Sequence, residues 1–266
     1  MVRITSFAHS GLDLGALHDA MLAAFSDYVV PMRPDAATFK ALLASRGFDP
    51  AASFVAVEDD EIIGFWNVAT RNTNRYLIGS GTRIGRRGRG LASRLGAAAI
   101  SAAENSGIES FWLEVIEGNT GAEHLYRKMG FHVTRRLDCY RLDHPSPDRC
   151  SCNQSDIGTV ANVIRRYSTW EPTWQNAVET ISGLQITSFL HEKGGAIVGA
   201  GGLVHQIAAG DPAALEDLLA AAATAGSLTL VNIDTADSTL GSLLQKLGAH
   251  RFISQFEMRL LLSKAA

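Results

Sequence analysis

Apolar residues change their spacing repeatedly along the chain, and each change marks an element. Arg3–Phe7 alternates as a short opening strand. Leu14, Leu17, Met21, Leu22 and Phe25 then recur at helical spacing behind Asp13, a residue type that accepts hydrogen bonds from the first free N–H groups of a helix. Ser26–Met32 breaks that helix, and Pro34 and Asp35 open a second one, which carries Phe39, Leu42 and Leu43 and stops at Gly47. Two strand-like runs, Ser53–Glu58 and Ile62–Val68, flank Asp59-Asp60 as a hairpin. Arg75–Ile84 is a fourth extended run and leads into an Ala-rich helix, Leu91–Ala103. Phe111–Ile116 is the fifth strand, Thr120–Met129 the next helix with Gly130 just past its end, and His132–Leu142 the closing strands.

His144–Asp148, with prolines at 145 and 147, fits neither a helix interior nor a central strand and reads as a linker. It divides the chain into domains of residues 1–144 and 149–266. The second half repeats the first in a worn form. At an offset of 118, Leu125, Lys128, Gly130, His132, Arg141 and Leu142 fall on identical residues, Leu243, Lys246, Gly248, His250, Arg259 and Leu260. Upstream, Phe54 and Gly64 match Phe189 and Gly199 at an offset of 135. The fall from 135 to 118 is a deletion of 17 residues between the hairpin and the third helix. At the 118 offset Arg87, Glu114, Asn119 and Tyr126 fall on His205, Asn232, Asp237 and Leu244, so the second domain is expected to be degenerate.

Composition narrows the class. A chain of 266 residues with 46% hydrophobic and 19% charged residues has the make-up of a folded, two-domain protein. Net charge is −3, so the arginines near position 87 form a local feature, and nucleic acid is not an expected partner. No apolar run is long enough for a membrane helix and the N-terminal stretch lacks a signal-peptide pattern, so the expected setting is cytoplasmic, without a membrane partner. His144, Cys150 and Cys152 lack a fourth ligand and a zinc-site spacing, so no metal is expected.

The stretch Arg87-Gly88-Arg89-Gly90-Leu91-Ala92 joins an extended run to a helix start. Unpaired N–H groups and the dipole make a helix start an anion site. Glycines let a ligand approach the backbone, and Arg83, Arg86, Arg87 and Arg89 add charge-assisted donors. The stretch is therefore a candidate phosphate cradle. It is neither a P-loop nor a dinucleotide fingerprint, because the required Lys-Ser/Thr and third glycine are missing. Downstream stand Asn119, Ala122, Leu125, Tyr126, Gly130 and Phe131. Together these stretches resemble the GCN5-related N-acetyltransferase (GNAT) superfamily. Its pyrophosphate loop, Gln/Arg-x-x-Gly-x-Gly/Ala, is matched by Arg87, Gly90 and Ala92, and its Asn-x-x-Ala-x-x-Leu-Tyr-x-x-x-Gly-Phe signature is matched at every position from Asn119 to Phe131. The resemblance covers residues 2–142 well and the remainder weakly.

The resemblance implies an α/β (α+β) fold with two tandem acyl-CoA N-acyltransferase-like domains, each a mixed, largely antiparallel sheet flanked by helices. It implies acetyl-CoA or coenzyme A as acyl donor, held by Arg87, Gly88, Arg89, Gly90, Leu91 and Ala92, with Thr82, Arg83 and Asn119 along the cofactor arm. Tyr126 is the implied acid and Glu114 the implied base, a role that a Leu-Glu-Val strand carries in the branch resembling ribosomal-protein alanine N-acetyltransferases. Strand alternation sets Glu114 between Trp112 and Ile116, where partial desolvation is expected to raise its pKa. Glu58 and Glu117 are further carboxylates for the same task, and packing in a helical stripe is the alternative role for Tyr126. Tyr28 and Met32, between the first two helices, are implied substrate contacts. The tandem arrangement resembles two-domain members such as mycothiol synthase, which points to a small-molecule amine as acceptor. A non-catalytic acyl-CoA sensor or scaffold is the alternative reading.

Overall fold

A computed structural model describes residues 1–28, 32–143, 151–223 and 226–262. The linker His144–Asp148 and Cys150 lie outside the described residues. Packing divides the chain into two compact units that interleave in sequence. The first takes Met1–Val115, Asn119–Thr134 and Glu257–Ala266; the second takes Ile116–Gly118 and Arg135–Phe256.

In chain order the elements of the first half are β1 (Arg3–Ser6), α1 (Leu14–Ala24), α2 (Ala36–Arg46), β2 (Phe54–Glu58), β3 (Glu61–Arg71), β4 (Asn74–Thr82), α3 (Leu91–Glu104), β5 (Ser110–Ile116), α4 (Thr120–Lys128) and β6 (His132–Leu142). The expected pair of closing strands is one strand, β6, and the expected fourth strand stops at Thr82, where Ile84–Arg86 tightens into a 3-10 turn. β1 to β4 form an antiparallel ladder. Asp59 and Asp60 take φ of 50° and 60°, the left-handed pair a two-residue hairpin needs to follow strand twist. Asp13 and Asp35 cap α1 and α2 by accepting from Ala16 N and Thr38 N. Leu17, Met21, Phe39 and Leu43 from those helices pack on Val55, Val57 and Phe65. On the other sheet face α3 lies close because Gly96 has no side chain. A Cβ there would stand 2.5 Å from Met129 and 3.0 Å from Trp66.

The second half contributes β7 (Asn153–Gln154), α5 (Ile157–Tyr167), α6 (Val178–Ile181), β8 (Ile186–His191), β9 (Gly194–Gly199), β10 (Leu203–Ala209), α7 (Pro212–Ala222), β11 (Leu228–Asp234), α8 (Ser238–Lys246) and β12 (His250–Leu261). β7 to β10 are antiparallel neighbours, and β11 runs parallel to β10 and antiparallel to β6. β11 and α8 coincide with β5 and α4 at the 118-residue offset, and β12 begins at the same offset from β6. Two mixed α/β units with the same order of elements are thus present. One correspondence read from equal spacing is corrected. His205 is not the counterpart of Arg87, because it sits on the bulge of β10, where Ile78 sits on β4. The counterpart of the Arg83–Gly90 loop is the short connection Gly210-Asp211.

Candidate active site

Tyr76 and Trp112 are the last paired residues of β4 and β5. Beyond them β4 runs on to Thr82 and β5 to Ile116 without pairing each other, so the two strands part into a wedge. The parted edges expose main-chain donors and acceptors that a ligand can pair. The bulge at Ile78 marks the same place on β4.

The α3 start lies beyond the free end of β4. Its N-cap is Gly90, at φ 71°, and no side chain caps it. The other helices of nine residues or more, α1, α2, α4, α5, α7 and α8, are all capped by Asp or Asn side chains. The first intrahelical bond of α3 is from Arg94 N to Gly90 O, which leaves the N–H groups of Leu91, Ala92 and Ser93 without helical acceptors. A Cβ built at Gly88 or Gly90 would meet nothing within 4 Å, so the space over the loop is open. The residues fit a pyrophosphate held by main-chain N–H groups. Leu91 contributes only its N–H, since its side chain is buried.

The four arginines of the loop are not equivalent. Arg87 donates to both Asp27 carboxylate oxygens, at 2.7 and 2.8 Å, and to Ala24 O at 2.7 Å. That pairing holds the Asp27 carboxyl below its usual range and raises the Arg87 guanidinium further. The Arg87 side chain therefore ties the loop to the end of α1 instead of facing the cradle. Arg83 pairs with Glu61 at 3.1 Å and donates to Ile62 O at 2.9 Å, and Arg86 pairs with Glu58 at 2.5 Å. This pairing engages Glu58 as the partner of a loop arginine. Arg89 is exposed and, among the described residues, unpaired, as is Arg94 in the first turn of α3. The sequence reading missed Arg94. A cation at a helix start is disfavoured unless an anion joins it, and that was its only signal.

Tyr126 and Glu114 occupy opposite faces of the wedge. Tyr126 is buried against Trp66 and Phe131, with ring centroids at 5.8 and 6.0 Å, on the α3 side. Its hydroxyl meets Ser80 Oγ of β4 at 3.1 Å. Burial pushes the phenol up to about 12, against a smaller opposing effect of the Ser80 hydrogen bond. Glu114 projects with Trp112 from the α1 side, as alternation required. Desolvation is not its whole environment, because the Tyr76 hydroxyl donates to it across the strands. Asn119 caps α4 by accepting from Ala122 N at 3.2 Å, and its Nδ2 donates to Tyr28 Oη at 3.3 Å. Tyr28 thus stands at the α4 start. Met32 is exposed. Thr82 O accepts from Arg87 Nε at 3.3 Å, and Arg83 N donates to Ile63 O at 3.0 Å. Ser80 and Tyr76, the partners of the acid and base candidates, were missed because nothing local in β4 distinguishes them from sheet residues. Glu117 pairs with Arg136 at 2.9 Å.

The family model described as "Acetyltransferase (GNAT) family" matches residues 17–131. This part of the chain is similar to GNAT-family acetyltransferases. The mycothiol acetyltransferase of Renibacterium salmoninarum is 31% identical over 116 residues, 41% of this chain and 34% of that protein. The match thus spans about a third of the relative's length. A putative acetyltransferase from Pyrococcus horikoshii has the same fold, with a TM-score of 0.75 at 16% identity over 99% of this chain and 90% of that one. A tandem GNAT protein from the clavulanic acid biosynthesis pathway superposes over 100% of both chains, with a TM-score of 0.67 at 13% identity. The matched stretch runs from within α1 to Phe131 and so includes the wedge, the α3 cradle and Tyr126. Among the described residues no group of three His, Cys, Asp or Glu is placed to hold a metal, and no helix is long and apolar enough to cross a membrane.

Proposed function

We propose that the protein is an acetyl-CoA-dependent N-acetyltransferase acting on a primary amine of a small molecule in the cytoplasm. Residues 1–144 would form the catalytic domain, and 149–266 a degenerate one without a pyrophosphate loop. The observation that carries this reading is the alignment of an uncapped α3, a parted β4–β5 pair, and a phenol and a carboxylate on opposite faces of the parting. The likeness to a mycothiol acetyltransferase supports a small-molecule acceptor.

When bound, acetyl-CoA supplies the acyl group as a thioester. The N–H groups of Leu91, Ala92 and Ser93, with Gly88 and Gly90 giving access and Arg89 adding charge, would hold its pyrophosphate. The free edge of β4 toward Thr82 and Arg83 offers main-chain groups to the cofactor arm. Glu114 accepts the proton that an ammonium acceptor must lose before its nitrogen can attack. Tyr126 keeps its Oη proton throughout the neutral range, because burial disfavours the phenolate, and is the group able to deliver a proton into the wedge. Ser80 fixes the direction of that hydroxyl. Tyr28 and Met32 would wall the acceptor side.

Tyr126→Phe tests the assignment. The turnover number, followed as free thiol released from acetyl-CoA, should fall on the order of 10²-fold, with acetyl-CoA affinity little changed. Unchanged turnover would remove Tyr126 from the mechanism. Tight acetyl-CoA binding without thiol release to any amine would favour the sensor reading.

A further inference from the structure

The sheet face that bears Glu114 carries charged groups the signature motifs do not include. β12 neighbours β5, and its residues Glu257–Leu261 lie within the first unit. Leu262 N donates to Glu109 O at 3.0 Å, and the Arg259 guanidinium lies 5.0 Å from the centre of the Trp112 ring. These two contacts fix an antiparallel register, with Arg259 opposite Trp112 and Glu257 opposite Glu114. Glu257 is buried and accepts from Thr134 Oγ1 at 3.2 Å. Across the wedge at the same level stands Gly79, over which a Cβ would meet nothing within 4 Å. Its partner on β3 is Asn67, a buried residue whose Oδ1 has no hydrogen-bond partner among the described residues.

The face is therefore an open slot with two kinds of binding chemistry. Glu114, Glu257 and the Asn67 carbonyl oxygen suit an ammonium. Arg259, one step along the strands, suits an anion. Its guanidinium makes no ion pair among the described residues, and its Nε is buried without an acceptor. An unpaired buried donor on a permanent cation is costly unless a bound group completes it. The Trp112 ring lies beside the guanidinium without using its donors.

We propose that the acceptor is an amine that also carries a carboxylate, and that Arg259 is the residue that binds this carboxylate. The inference rests on the acyltransferase reading for the identity of the slot as the acceptor site. The test, however, reads binding separately from turnover.

Calorimetric titration of the full chain, saturated with coenzyme A, compares acids with their amides: L-alanine against L-alaninamide, and γ-aminobutyrate against 4-aminobutanamide. At least one acid should bind roughly 10–100-fold more tightly than its amide, the range of a charge-assisted pair. Arg259→Gln should remove that gap while leaving the amide and coenzyme A affinities unchanged, and Arg259→Lys should restore part of it. Equal or undetectable binding of acid and amide by the wild type overturns the proposal, as does a Gln variant that weakens both alike. A thermal melt of each variant separates loss of fold from loss of contact. Thiol release with the same amines tests the parent reading. A preserved acid–amide gap without thiol release supports Arg259 as a carboxylate site and refutes acyl transfer.

Discussion

The two units begin their central helices in opposite ways. α3 opens on Gly90 after a connection running from Arg83, with no side chain over its free N–H groups. α7 opens after the two-residue connection Gly210-Asp211, and Asp211 Oδ1 accepts from Ala214 N at 2.9 Å, with Lys193 at 3.2 Å from the other oxygen. The dipole that would attract a phosphate in one unit is satisfied by the chain's own carboxylate in the other. The wedges differ likewise. β10 and β11 are paired only at Leu203 and Val204 and then part. Into that gap the second unit inserts Asn176, whose Nδ2 donates to Val231 O at 2.9 Å and whose main-chain O accepts from Gln206 Nε2 at 2.6 Å. Gln206 stands just after the bulge, where the first unit has Gly79. Tyr126 and Glu114 give way to buried Leu244 and to Asn232. The same fold therefore either leaves the wedge between the two strands open or closes it with hydrogen bonds of its own. The difference at the wedge lies in the connection before the helix and in a few side chains.

Moving the carboxylate from one unit to the other should give the largest effect. Gly90→Asp places at α3 the cap that α7 has, and Asp tolerates the left-handed backbone better than most residues. Acetyl-CoA affinity, measured calorimetrically, is expected to fall on the order of 10³-fold through charge repulsion and occupation of the N–H groups. Gly90→Asn makes the same backbone demand without the charge and should lose far less. Equal losses would show that shape, and not the anion preference of the helix start, governs the site.

The closed wedge predicts a pH effect confined to the second unit. His205 is buried, its Nδ1 lies 3.3 Å from Asn176 Oδ1, and burial lowers its pKa from 6.5 to about 4. The imidazole is then neutral in the fold while the unfolded chain protonates near 6.5. Its contribution is complete above pH 6.5 and is lost as pH falls toward 4, by about 3 kcal/mol. Urea unfolding between pH 7 and 4 should show that loss in the wild type and a flatter profile in His205→Gln. Parallel profiles would mean that the histidine is not held neutral.

Much of this was legible because it is local. The caps Asp13, Asp35 and Asn119, the stop at Gly47 and the Asp59-Asp60 hairpin depend on residues within one turn, and all were readable. Alternation placed Glu114 on the correct face for the same reason. The hidden features are long-range. Arg87 reads as a phosphate ligand until Asp27, 60 positions earlier, is seen to take its guanidinium. The donor to Glu114 is 38 positions away, and Arg259 reaches Trp112 from the far end of the chain. Equal spacing misplaced His205 because the shortening is shared among β3, the β4–α3 connection and α3, and a fixed offset cannot follow it.

The smallest expected effect tests whether the closed unit is closed twice over. Asp211→Gly removes the α7 cap and copies the first unit's glycine, but not its long loop. Loss of one helix cap should lower the melting midpoint by only about 2–4 °C. It should create no acetyl-CoA binding in a chain whose first site is already disabled by Gly90→Asp, because Asn176 and Gln206 still fill the second wedge. Adding Asn176→Ala removes that filling. If the pair of changes still binds nothing, the short Gly210-Asp211 connection is the decisive loss, since it cannot wrap an anion as Arg83–Gly90 does. If binding appears, the second unit lost its ligand by plugging an intact channel, and the comparison reduces to side chains.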